Sequence, residues 1–217
     1  MNYNKYTRVT AATFSILIGM GGIFNHGLFE VLQGNNSTNS FFIEAIGKAN
    51  RYWIHGTEGA FTIIPNFLIT GILVISVGLA IIVWSVKFIH KEHGSSVLLS
   101  LFFLLTIFGG GIGHIILFLP TWAYSTRINR SLQWYKKILT GQMRKVLSGL
   151  WIYCLATTSV LWILVMELGI WGRFPGQSDP DIILNLVFVF LFSSVILANC
   201  AFICGFAKDI EERESEK

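Results

Sequence analysis

The chain has 217 residues, of which 53% are hydrophobic and 13% charged, and its formal net charge is +4. Soluble domains average about 25% charged residues. The composition therefore excludes a soluble globular domain, a disordered chain and a disulfide-rich secreted module. About 20 consecutive apolar residues can cross a bilayer as a helix. Windows that contain no Asp, Glu, Lys or Arg lie at 9–29, 61–86, 94–126, 146–166 and 182–207.

These windows predict an all-α integral membrane protein with a single transmembrane domain over residues 1–217. The expected fold is a bundle of five transmembrane helices, at about 10–32, 60–88, 97–123, 147–171 and 182–207. No internal repeat and no linker divides the sequence.

The connection between the first two spans has a helical pattern of its own. Apolar residues recur at helical spacing, and charged residues fall on the opposite face, where Glu44 and Lys48 can pair. This pattern predicts an interfacial amphipathic helix lying on the membrane surface. The apolar face comprises Phe42, Ala45, Ile46, Ala49 and Trp53, and the charged face Glu44, Lys48 and Arg51.

The connection between the third and fourth spans is basic, with aromatic residues interleaved. Because two spans flank it, we expect this loop to contact anionic lipid headgroups and not nucleic acid. Its cations are Arg127, Arg130, Lys136, Lys137, Arg144 and Lys145. Further along, Asp179 followed by Pro180 predicts an N-cap and the first residue of the fifth span.

Lys and Arg residues set the expected orientation. Five alternating spans place the first and third connections and the C-terminal tail on one side. That side carries 11 of the 16 Lys and Arg residues, so the positive-inside rule makes it cytoplasmic. We expect a plasma-membrane protein with its N-terminus outside and its C-terminus in the cytoplasm.

Ionisable residues inside spans are costly and usually functional. At a rise of 1.5 Å per residue, the polar residues of four spans fall roughly 9–14 Å from the basic membrane face. This coincidence predicts one polar pocket entered from the basic side. The candidate catalytic residues are His26, Glu30, His55, Glu58 and His114, with Asn25, Asn66 and Asn199 as supporting polar groups.

The pocket is compatible with several chemistries. A metal ion can be held by His26, His55, Glu58 and His114. The same groups can relay protons or act as acid and base on a lipid or small apolar substrate. His26 and His114 can also ligate a haem iron, so the sequence leaves the cofactor open. The alternative is that these side chains only stitch helices together, at about 0.6–2 kcal/mol per hydrogen bond.

Small residues at four-residue spacing predict close helix crossings. The run at 109–113 can also loosen the third span beside His114. The small residues are Ala11, Ser15 and Gly19 in the first span and Gly109 and Gly113 in the third.

Three segments resemble a group of uncharacterised multi-pass prokaryotic membrane proteins. They are Trp53–Gly71, Asn25–Gly34 and Gly109–Gly113. The resemblance covers most of the chain. It implies a membrane fold and a bacterial or archaeal plasma membrane, but no activity.

The sequence therefore leaves two classes of function open. One hypothesis is a membrane enzyme that acts on an apolar substrate. The other is an accessory subunit or a small transporter, which at this length would have to form a homo-oligomer. An enzyme or metal site requires the polar side chains to converge, whereas stitching allows scattered pairs.

Overall fold

The computed structural model describes residues 3–215, and most of them are α-helical. Four helices are long and apolar enough to cross a membrane, judged by length and composition, namely α1, α2, α6 and α7. The elements in chain order are α1 (Lys5–Leu32), β1 (Phe42–Glu44), β2 (Gly59–Phe61), α2 (Phe67–Lys87), α3 (Gly94–Ile107), α4 (Ile115–Ser125), α5 (Gln133–Ile138), α6 (Gly141–Trp171) and α7 (Pro180–Ser215).

The start of α1 and the end of α7 are bonded to each other. The buried Asp209 carboxylate accepts hydrogen bonds from the N–H groups of Tyr6 and Thr7, both at 2.9 Å, and from the Thr7 hydroxyl at 2.6 Å. Lys5 pairs with Glu212 at 3.6 Å. Such contacts cannot reach across a hydrocarbon core about 30 Å thick. Both helix ends therefore lie at the same end of the bundle, which disagrees with the expected arrangement of N-terminus outside and C-terminus inside.

The predicted third span, 97–123, is not one helix. It is a helical hairpin of α3 and α4, joined by an irregular segment at 108–114. Gly109 and Gly111 adopt φ values of +112° and +91° in this segment. Glycine is among the weakest helix formers, so the run ends the helix instead of tightening a helix crossing.

Both open ends of the helical hairpin lie where the chain ends meet. The Trp84 indole N–H donates to the Gly94 carbonyl, so α3 begins beside the end of α2. After α4, the Ile128 carbonyl accepts a hydrogen bond of 2.7 Å from the Asn4 N–H. Residues 94–125 thus run away from this end of the bundle and return to it, where a single crossing was expected. This additional passage brings the end of α7 to the same end of the bundle as the start of α1.

The bundle consequently has two chemically different ends. The basic end comprises the start of α1, the α2–α3 turn, residues 126–145 and the end of α7. The sheet end comprises residues 33–66 and 172–179. Within residues 3–215, every Lys and Arg except Lys48, Arg51 and Arg173 belongs to the basic end.

The interfacial helix predicted between the first two spans is replaced by a β-ribbon. β1 pairs antiparallel with β2, with Ile43 opposite Ala60. Burial in β1 alternates, since Ile43 is buried while Phe42 and Glu44 are exposed. This period of two overrides the helical spacing. Glu44 pairs with Arg51 at 2.8 Å and not with Lys48.

Glycines allow α1 and α2 to pack closely. A Cβ at Gly19 would lie 2.8 Å from the Gly78 carbonyl, and one at Gly71 would lie 2.5 Å from the Gly27 carbonyl. The small-residue contact predicted at Gly19 is therefore present, and its partner is α2.

The predicted start of the last helix is confirmed. α7 begins at Pro180, and the Asp179 carboxylate accepts hydrogen bonds from the N–H groups of Asp181 and Ile182. α7 packs along the whole of α6 as an antiparallel partner.

Replacing Asp209 with Ala should destabilise the bundle. The change leaves two backbone N–H groups and a buried hydroxyl without their acceptor, which we expect to cost at least about 2 kcal/mol. The measurement is the thermal unfolding midpoint in detergent. The control is Glu92→Gln, at an acidic side chain that is 91% exposed. Equal midpoints for the two variants would contradict the role assigned to Asp209.

Candidate functional site

Three of the predicted polar residues converge at the sheet end. Glu58 Oε2 lies 3.1 Å from His26 Nε2. The His26 and His114 rings meet edge to face, with their centroids 5.5 Å apart. One ligand atom from each residue can be chosen so that all three lie within 4.8 Å of one another. We call His26, Glu58 and His114 the HEH cluster.

Each member of the HEH cluster comes from an irregular piece of backbone. His26 lies in a π-helical turn of α1, Gly22–Gly27, a feature that is frequent at functional sites. Glu58 directly precedes β2, and His114 directly precedes α4. The β-ribbon and the break in the helical hairpin thus position Glu58 and His114 next to His26 of α1.

Glycines make room for the HEH cluster. A Cβ at Gly111 would overlap Nε2 of His26 and lie 2.8 Å from Nδ1 of His114. The N–H of Gly113 donates to Glu58 Oε1 at 2.6 Å, and a Cβ there would lie 2.7 Å from the same oxygen. Bare backbone therefore lies against all three side chains.

Several buried polar atoms in this region have no hydrogen-bond partner within residues 3–215. They include both ring nitrogens of His114 and Nδ1 of His26. His26 is fully buried, and His114 is 5% exposed. Buried polar groups in native proteins are nearly always satisfied, so these need an explanation such as a bound ion.

Glu58 is the charged member of the cluster. Burial favours its neutral form. The imidazoles of His26 and His114 and the Gly113 N–H outweigh this and lower the pKa of Glu58 to about 2. A carboxylate therefore faces the two imidazoles at neutral pH.

Glu30 lies next to the HEH cluster but outside it. It is fully buried, and both carboxyl oxygens lack a partner within the described residues. A Cβ at Gly109 would lie 2.7 Å from Glu30 Oε1 and 2.6 Å from the Thr70 methyl group. Glu30 thus faces the break in the helical hairpin.

The remaining predicted residues do not join the HEH cluster, although His55 and Asn25 line the cavity beside it. His55 is partly exposed and its Nε2 lies 3.0 Å from Asp181, so it is not among the three converging groups. Asn66 caps α2 and donates to Asn35. Asn199 accepts a hydrogen bond from the Tyr124 hydroxyl in the other half of the bundle. Asn25 donates to the Met166 carbonyl.

The position of the HEH cluster differs from the expected one. A pocket on the basic side is what five alternating crossings would produce. The structure places the cluster at the sheet end, opposite the basic loop. His26 lies six residues before the end of α1, about 9 Å along the helix axis.

A cavity of about 350 Å³ adjoins the HEH cluster. Glu58, Gly113 and His114 form part of its wall. Most of the remainder comes from apolar side chains of α6 and α7 and from sheet-end residues that include Ile46, Trp53 and His55. Trp162 also lines it, with its ring centroid 6.0 Å from that of His114. Trp162 is not among the residues predicted for the site. The signal in the sequence that could have indicated it is its position in the middle of a span, away from the aromatic belts at the two span ends.

Gly111→Ala should disturb the HEH cluster. At φ +91° an alanine is strained, and its methyl group must displace an imidazole. We expect the free energy of unfolding to fall by about 1–3 kcal/mol, which is measured as a lower thermal unfolding midpoint. The control is Gly149→Ala in α6, where a Cβ meets nothing within 4 Å. There the midpoint should stay the same or rise, and an equal fall in both variants would count against the close packing described.

No protein-family model matches this chain, and neither the curated proteins nor the solved structures contain a match. The geometry of the HEH cluster is accordingly the basis on which a function is proposed.

Proposed function

We propose that this chain is a polytopic protein of the plasma membrane that binds one transition-metal ion through His26, Glu58 and His114. The supporting observation is the convergence of three ligand atoms within 4.8 Å, with both ring nitrogens of the buried His114 unpaired as far as residues 3–215 show. Two imidazoles and one carboxylate suit zinc, which is the first candidate.

The ligand set also indicates what kind of zinc site this would be. Structural zinc sites use four protein ligands, whereas catalytic sites use three and leave one position for water or substrate. Two His and one Glu belong to the second kind, and Glu58 and His114 of this set also line the cavity. When bound there, zinc would act as a Lewis acid and lower the pKa of bound water.

Hydrogen bonding between structural elements, without a bound ion, accounts for only part of the geometry. The contacts of Glu58 with His26 and Gly113 do join α1, the β-ribbon and the helical hairpin. Stitching alone would also give His114 a partner, and its two ring nitrogens have none within residues 3–215. Haem fits poorly, because the Gly111 backbone lies against both histidine rings and leaves no slot for a macrocycle.

The charge distribution supports an orientation. By the positive-inside rule, the basic end faces the cytoplasm, with residues 126–145 next to anionic headgroups. Both chain ends then lie in the cytoplasm, and the HEH cluster opens toward the outer face.

The helical hairpin fits a re-entrant element. α3 has 14 residues and α4 has 11, which correspond to about 21 and 17 Å of helix, less than the hydrocarbon thickness. Irregular backbone at membrane depth is tolerated where protein buries it. Here residues 57–64 cover the tip of the helical hairpin.

Metal content is the direct test of the proposed site. Detergent-purified protein should contain about one equivalent of metal by elemental analysis after zinc loading and desalting. His26→Ala, Glu58→Gln and His114→Ala should each reduce it at least tenfold, because each removes one of only three ligands. His93→Ala, at an exposed turn at the basic end, should retain the metal. Metal-free wild type, or a full equivalent in His114→Ala, would refute the proposal.

Cysteine labelling tests the orientation. Ser40→Cys at the sheet end should react with a membrane-impermeant maleimide in intact cells. Lys137→Cys at the basic end should react only after permeabilisation, because the bilayer shields it. Both positions are exposed, so the reverse pattern would show that the HEH cluster opens to the cytoplasm.

A further inference from the structure

The cavity beside the HEH cluster has the size and lining of a site for a hydrocarbon chain. Its volume of about 350 Å³ is within the range of small-molecule pockets. α6 and α7 supply the apolar part of its wall. This part consists of Val165, Met166 and Ile170 from α6 and Leu184, Val187 and Leu191 from α7.

The cavity opens at the lipid-facing surface of the bundle. Phe188 lines the cavity and is also 47% exposed. Its neighbours on the outer face of α7, Val189 and Phe192, are exposed as well. In a membrane this surface faces acyl chains, so an apolar molecule can enter from the bilayer without crossing water.

Few polar side chains line the cavity. They are Asn25 of α1, His55, Thr57 and Glu58 of the sheet end, His114 at the break in the helical hairpin and Trp162 of α6. Asn25 Oδ1 and Trp162 Nε1 are buried without a partner inside residues 3–215. A largely apolar wall with a few polar groups matches a molecule that has a hydrocarbon chain and a polar head.

We propose that the cavity binds a single-chain fatty-acyl amphiphile, with its hydrocarbon chain against the apolar side chains of α6 and α7 and its oxygen-bearing head at the HEH cluster. The position of the head rests on the proposed metal site. The position of the chain rests on the cavity alone, so the two parts can fail separately.

Gly169 provides a way to fill the cavity without disturbing its surroundings. It lines the cavity, and a Cβ there would meet nothing within 4 Å. Gly169→Leu should therefore place a side chain where the hydrocarbon would lie. Gly149 in the same helix also has open space, and it is not part of the cavity wall. Gly149→Leu is thus the matched control.

The experiment uses palmitic acid that carries a diazirine near its methyl end. Full-length protein is reconstituted in vesicles of phosphatidylcholine and phosphatidylglycerol and irradiated with this probe, and the adducts are mapped by mass spectrometry. Wild type and Gly149→Leu should carry adducts at Val165, Leu184 and Leu191. Gly169→Leu should lose them at least tenfold. It should keep adducts at Ile196, which is 66% exposed, and it should keep its metal.

The outcomes separate the two proposals. Cavity adducts that are equal in Gly169→Leu and wild type, or adducts at Ile196 alone, would overturn the chain site whatever the metal content. Metal-free wild type that still shows cavity adducts lost in Gly169→Leu would overturn the metal site and the position of the head, and support the position of the chain.

Discussion

The structure depends on the pairing of residues 57–63 with the broken tip of the helical hairpin. Backbone N–H and C=O groups that leave a helix at membrane depth need partners from the protein itself. The β-ribbon segment supplies them, since the Ile63 N–H donates to the Ile107 carbonyl and the Ile112 N–H to the Gly59 carbonyl. Glu58 adds a side-chain acceptor for Gly113. Without this segment, the backbone groups of Ile107 and Ile112 at the α3–α4 break would lose these partners.

The same pairing builds the HEH cluster. It holds Glu58 against the Gly113 N–H and sets His114 at the start of α4, where its ring meets that of His26. Structural and chemical roles therefore meet in one carboxylate: Glu58 joins the helical hairpin to α1, and it is also the negative charge between two imidazoles. Any change that loosens residues 57–63 alters the site together with the fold.

Hydropathy predicted the membrane class and the long helices from the sequence, and residue type predicted the polar groups that converge. The third span could not be predicted, because an uncharged window such as 94–126 has the same composition whether it crosses once or turns back. That single error placed the start of α1 and the end of α7 at opposite ends of the bundle, and it put the site at the wrong end. Asn199 was grouped with the site for the same reason. The interfacial helix was wrong because 42–53 contains apolar residues at spacings of two as well as of three and four.

The bond between Asp209 and the start of α1 also has a consequence for the order in which the protein is assembled. His26, Glu58 and His114 all precede residue 115, so the ribosome synthesises the whole HEH cluster before α6 and α7 exist. The acceptor for Tyr6 and Thr7 is made only after α6 and most of α7. The first helix is therefore made long before the residue that fixes its beginning. The part of the cavity wall that α6 and α7 supply is added after all three residues of the HEH cluster have been synthesised.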